Sequence, residues 1–128
     1  MIEDKVDDKY FISDALLKCF TSMKDRNGFI RGKRFKPHDL ETSKYAYTIT
    51  TMSGSRATDN YIKIPFNTPN GIEYKIRKIT PREAWRFMGF SNEDFEKARK
   101  INSDTRLYMQ AGNSIVVNVL EEIFKQML

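Results

Sequence analysis

A chain of 128 residues, 40% hydrophobic and 12% aromatic, can bury one modest core and is too apolar to be read as intrinsically disordered. One cysteine, Cys19, and one histidine, His38, exclude an internal disulfide, a cysteine zinc cluster and a histidine-based metal site or triad. The net charge of +5 favours an anionic partner, and the longest apolar run, Ile115 to Val117, falls far short of a membrane span.

Residues 1–12 mix acids with lysine and lack the basic and apolar regions of a secretory signal, so a reducing cytoplasm is the expected setting. Ser13 is placed to cap a helix in which Leu16, Phe20 and Met23 share a face, with Cys19 beside them as a core residue. Asn27-Gly28 then gives a stop and turn. Arg26, Arg31, Lys33, Arg34 and Lys36 crowd the next stretch, with Phe29 and Phe35 interleaved. That cluster suits a nucleic-acid backbone, and it equally suits a solvated strand whose charged edge discourages aggregation.

From Gly28 to about Lys78 the chain reads as strands. Asn60 to Phe66 and Ile72 to Arg77 both alternate apolar with polar residues, and Asn67 to Gly71 suits the loop of a hairpin between them. Pro65 marks its strand as an edge or a bulge. His38, after Pro37, is expected in a loop.

Helical spacing begins at Thr80. Thr80 can accept from the amide of Glu83, Pro81 fits the first helical position, and Glu83 can reach back to close a capping box. Ala84, Phe87 and Met88 share a face, Trp85 is expected against the strand layer, and Gly89 ends the helix. Ser91 to Asp94 starts a second short helix with Phe95 and Ala98 inward. The last helix is expected to begin near Asn113-Ser114. There Ile115, Val116, Val119, Leu120, Ile123, Phe124 and Met127 form one apolar stripe that should dock in the core. On this reading Gln110-Ala111-Gly112-Asn113-Ser114 lies at a helix N-terminus, whose free amides favour negative charge, although an ordinary turn into a capped helix would use the same residues.

The sequence Arg77-Lys78-Ile79-Thr80-Pro81-Arg82-Glu83-Ala84-Trp85-Arg86-Phe87-Met88-Gly89-Phe90 resembles the ninth conserved motif of DNA cytosine-5 methyltransferases. Gln110-Ala111-Gly112-Asn113-Ser114-Ile115-Val116-Val117-Asn118-Val119-Leu120 resembles the tenth, which closes those enzymes. Val6-Asp7-Asp8-Lys9-Tyr10-Phe11-Ile12-Ser13 is similar to the segment that follows the eighth motif and opens the target-recognition region. The resemblance implies transfer of a methyl group from S-adenosyl-L-methionine to carbon 5 of a flipped-out cytosine in duplex DNA, in a restriction-modification setting.

The chain departs from the family pattern where the chemistry should be. It has no Phe-x-Gly-x-Gly cofactor loop, no Pro-Cys nucleophile, no Glu-Asn-Val and no Gln-x-Arg-x-Arg, and Cys19 follows Lys18 rather than proline. No catalytic residue is assigned, and the chain alone is expected to be inactive. Two family roles carry over by resemblance. Gly112, Asn113 and Ser114 would help wall the methionine end of the cofactor site once a catalytic portion is present. Thr48-Ile49 followed by Thr50 to Arg56 matches a DNA-reading loop, with Thr48, Ser53 and Arg56 at duplex DNA and Arg31, Lys33 and Arg34 adding backbone contacts. Thr80, Pro81, Arg82 and Glu83 are given a structural role, with Arg82 and Arg86 knitting the helix to its neighbours.

The expectation is therefore a small α+β domain spanning residues 1–128, with an N-terminal helix, a central, mostly antiparallel β layer and C-terminal helices. Residues 1–76 would be the target-recognition-like region, and 77–128 would carry the motif nine and motif ten helices. Its partners would be duplex DNA and an N-terminal catalytic portion in the same or a separate chain, with no membrane. Two alternatives remain open at this stage: a stand-alone nucleic-acid-binding module using residues 26–36, and an interaction protein whose last helix binds another polypeptide.

Overall fold

The computed structural model describes residues 1–16, 29–30, 33–34, 38–40, 42–55 and 60–128. It has the expected α+β character, and the described residues fall into two compact units. One comprises Val6–Tyr47 and Gly54–Ile79; the other comprises Met1–Lys5, Thr48–Ser53 and Thr80–Leu128.

The first unit is built on strands. A 3-10 turn at Asp8–Tyr10, capped by Asp7, leads to residues 14–16, which are helical, and Ser13 Oγ accepts from the Leu16 amide at 3.3 Å. The remainder of the expected N-terminal helix, with Phe20, Met23 and Cys19, lies outside the described residues. Strand β1 (Phe29–Ile30) pairs antiparallel with β2 (Lys33–Arg34). Strand β3 (His38–Asp39) pairs parallel with the start of β4 (Asn60–Thr68), and β4 pairs antiparallel with β5 (Gly71–Lys78). His38 is thus in a strand rather than the expected loop, because its backbone has a ladder partner in Asn60.

The β4–β5 hairpin is tighter than expected. Asn67 and Thr68 continue the ladder, so only Pro69 and Asn70 make the connection. Pro65 faces Tyr74 beyond the two residues of β4 that meet β3, so among the described residues its missing N–H falls on an unpaired edge, as its residue type requires. Only the base of the hairpin is buried, at Asn60, Tyr61, Ile62 and Arg77. The tip alternates apolar with polar but stays in solvent, and Lys63 stacks on the Tyr74 ring with its ammonium 4.9 Å from the centroid. At the base, the buried Asn60 side chain pairs with the backbone of Tyr47 in both directions. Its Oδ1 accepts from the Tyr47 amide at 2.8 Å and its Nδ2 donates to the Tyr47 carbonyl at 3.1 Å.

The second unit is helical: α1 (Pro81–Phe87), α2 (Asn92–Arg99), α3 (Asp104–Asn113) and α4 (Val117–Met127). The capping box of α1 is present in both halves. At its other end the Gly89 amide donates to Arg86 and the Phe90 amide to Trp85, the two bonds that close a Schellman motif. Gly89 takes φ 86°, a left-handed conformation that favours glycine. The Phe90 ring then meets Trp85 at 5.0 Å, the hydrophobic contact that accompanies this helix end.

The partners of Trp85 within its own unit are helical. Its Nε1 donates to the Leu107 carbonyl at 2.9 Å and its ring meets Phe90 and Phe95, so it is the centre of a helical core with Ala84, Leu107 and Ala111. An indole N–H must find an acceptor when buried, and a helix carbonyl supplies one. Helix α3 itself was not anticipated. Ser103 caps it by accepting from the Arg106 amide, and Leu107, Tyr108 and Ala111 form its buried face.

That helix overturns the expected start of the last one. Gln110 to Asn113 end α3, Ser114 is its C-cap, and α4 begins at Val117 without a side-chain cap. The expected docking of the apolar stripe also fails: no α4 residue is buried. Val119, Ile123 and Phe124 are about half exposed (52%, 47% and 54%) and Met127 is 73% exposed. The helix is amphipathic as its spacing predicts, but spacing alone does not say what covers the face.

Candidate functional site

The structural motif at residues 80–83 is a closed polar cluster. Thr80 Oγ1 accepts from the Glu83 amide at 3.2 Å and donates to Glu3 Oε2 at 2.5 Å. The fully buried Glu83 carboxylate accepts from the Thr80 amide and from the Glu3 amide, both at 2.8 Å. Arg82 spans Glu3 (3.0 Å) and Glu96, and its guanidinium lies 4.9 Å from the centre of the Phe95 ring. The hydrogen bond from Arg82, opposed by partial burial and aided by the charges of Arg82 and Arg99, holds the Glu96 carboxyl below its ordinary value. Arg86 donates to Asn92 Oδ1 and to the Met1 carbonyl, each at 2.9 Å. Through these bonds the two arginines tie α1 to α2 and to residues 1–3. Sequence reasoning missed Glu3, because nothing local to it signals a partner nearly eighty residues away.

A second group of candidates meets in the same unit. Ile49 is buried, and the turn after it is held by three short-range bonds: Thr50 N to Ser53 Oγ (2.9 Å), Ser53 N to Thr50 O (3.0 Å) and Met52 N to Thr50 Oγ1 (3.3 Å). Thr48 is exposed, as a DNA contact requires. Ser53 differs from expectation. At 4% exposure, with its hydroxyl engaged by Thr50, it shapes the turn and is not offered outward. Lys33 and Arg34 form β2, whereas Arg31 and Arg56 lie outside the described residues.

The segment 112–114 sits at the opposite helix pole from the one expected. Gly112 and Asn113 are the last residues of α3, Asn113 is exposed, and Ser114 Oγ donates to the Ala111 carbonyl at 2.7 Å. A helix C-terminus presents carbonyls and partial negative charge, so it favours a cation rather than an anion. Gly112 is pressed against the backbone of Thr50 and Thr51, a contact between the two candidate segments that no sequence signal gave.

These capped helices and this loop belong to a recognised class. The chain belongs to the family of C-5 cytosine-specific DNA methylases, whose match runs over residues 2–128. Among its relatives, the orphan methyltransferase M.Rho11sI of Bacillus phage rho11s is 43% identical over 99 residues, 76% of this chain and 17% of the relative. The type II methyltransferase M2.ScrFI of Lactococcus lactis subsp. cremoris is 54% identical over 59 residues, 46% of this chain and 16% of the relative. The type II methyltransferase M.SsoII of Shigella sonnei is 34% identical over 130 residues, the whole of this chain and 31% of the relative. The chain thus spans between about a sixth and a third of the length of these relatives.

Proposed function

We propose that this chain is the C-terminal portion of a DNA (cytosine-5-)-methyltransferase, which recognises the DNA target and completes the cofactor site of an N-terminal catalytic portion carried in the same or a separate chain. The observation that carries the reading is the family match over residues 2–128 in a sequence that holds no Pro-Cys, no Phe-x-Gly-x-Gly and no other family catalytic motif. The type II relatives support a restriction-modification setting.

Each part of the chain then has a role. The loop after Thr48, with Arg56 beyond it, faces duplex DNA, and the basic strand at Lys33 and Arg34 adds backbone contacts. S-adenosyl-L-methionine, when bound, supplies the methyl group. The C-terminal pole of α3 suits the cationic methionine end of that molecule better than an amide-rich pole would, and the exposed Asn113 can both donate and accept. The uncovered stripe of α4 is the surface we assign to the catalytic portion. Val119, Ile123 and Phe124 are already half covered, so burying the rest of each would contribute about 1 kcal/mol to the association.

Equilibrium binding of the chain to a panel of duplexes at several salt concentrations tests the DNA-recognising role. Salt-sensitive binding is expected, weakened evenly by K33A and R34A, whereas R56A should change which duplexes are preferred. An even loss across all duplexes for R56A would refute base reading by Arg56, and no binding by the wild-type chain would refute the reading as a whole.

A further inference from the structure

Glycine inside a helix is a poor choice unless something demands it, since alanine holds the same backbone at lower entropic cost. Gly112 is helical, and what demands it is on the other side of the contact. A methyl group at this position would overlap the Thr50 carbonyl carbon and the Thr51 nitrogen, and would fall 2.7 Å from the Thr50 carbonyl oxygen. All three are backbone atoms, so no side chain can swing aside. The Thr50 oxygen is also the acceptor for the Ser53 amide, so pushing it away breaks the turn. Helix α3 cannot yield instead, because Leu107, Tyr108 and Ala111 fix it in the core.

We propose that Gly112 is a positioning residue for target recognition: the backbone of loop 48–53 is seated directly on the end of α3, which sets the height at which Thr48 meets DNA. The proposal rests on the DNA-recognising role given above. It takes Gly112 beyond making room for a turn beside the cofactor, and makes one residue of the cofactor-closing segment a determinant of DNA affinity. The loop and the last turn of α3 then move as one piece.

The test uses the 128-residue chain with G112A, and with F95L as a variant that thins the core of the same unit on a different helix. Labelled-duplex anisotropy gives affinity, and backbone amide spectra give position. For G112A we expect amide shifts concentrated at Thr48 to Ser53 and a DNA affinity reduced roughly tenfold, the size of one misplaced contact. F95L should lower the melting temperature and leave affinity unchanged when measured well below it. Should G112A not fold, titration of the wild-type chain with duplex decides the matter: the Gly112 amide must shift together with those of Thr50 to Ser53. G112A binding as tightly as wild type, or a Gly112 amide that ignores bound duplex, overturns the proposal while leaving DNA recognition standing. A wild-type chain that binds no duplex overturns both.

Discussion

Replacing Glu83 with alanine is the sharpest probe of how the second unit is held. The carboxylate is fully buried, and its two oxygens accept from two backbone amides, Thr80 N and Glu3 N, each at 2.8 Å. Both donors sit where water is scarce, and a buried amide left without an acceptor costs about 1–3 kcal/mol. The Glu3 amide is only partly buried, so its share lies at the lower end, and E83A should destabilise the unit by roughly 2–4 kcal/mol. At about 4 °C for each kcal/mol in a domain of this size, the midpoint should fall on the order of 10 °C. Trp85 is the one tryptophan of the sequence and lies in this core, so its fluorescence reports the unit directly. E83Q keeps one acceptor but turns an NH2 group toward the other amide, and should recover about half of the loss. A midpoint for E83A within about 0.5 kcal/mol of wild type would refute the cluster as the anchor of this unit.

Other outcomes follow from the same geometry. Glu96 has its pKa lowered in the folded state, chiefly by the Arg82 hydrogen bond, so its contribution is present above the ordinary value of 4.5 and is lost as pH falls through the lowered value. Denaturation followed by Trp85 fluorescence should therefore show stability declining below about pH 4.5, with E96Q removing part of that slope; an identical slope in E96Q would contradict it. N113A should leave the melting temperature unchanged, since the side chain is exposed at a helix end. In the assembled enzyme it should weaken S-adenosyl-L-methionine binding by about 0.5–1.5 kcal/mol, measured by calorimetry. F124D should also leave the chain folded, because α4 is uncovered, yet weaken association with the catalytic portion by roughly a hundredfold in a pull-down titration.

What was legible in the sequence was whatever local chemistry decides. The Thr80–Glu83 capping box, the Ser91 cap, the stop at Gly89 and the two strands of the hairpin all depend on residues within a few positions of one another. Long-range partners were not legible. Trp85 donates to the Leu107 carbonyl twenty-two residues on, and Glu3 reaches Thr80 and Glu83 across most of the chain. Helix α3 went unread because its buried face is short, three residues behind a Ser103 cap, and its end runs straight into the segment taken for the start of the next helix. That error reversed the polarity assigned to Gly112, Asn113 and Ser114, and with it the charge that the site should prefer. Seven apolar residues at helical spacing identify a face, but the face can wait for a partner as readily as it can meet its own core.

The central claim, a recognition and cofactor-closing portion that needs a catalytic partner, is tested most directly by methyl transfer from labelled S-adenosyl-L-methionine to duplex DNA. The chain is assayed alone, then mixed with the portion of the same methyltransferase that carries the Pro-Cys and Phe-x-Gly-x-Gly motifs. The expected result is no label from either part alone and label at carbon 5 of cytosine from the mixture. Turnover by the chain alone that C19S abolishes, or a mixture of two folded parts that transfers nothing, would contradict it.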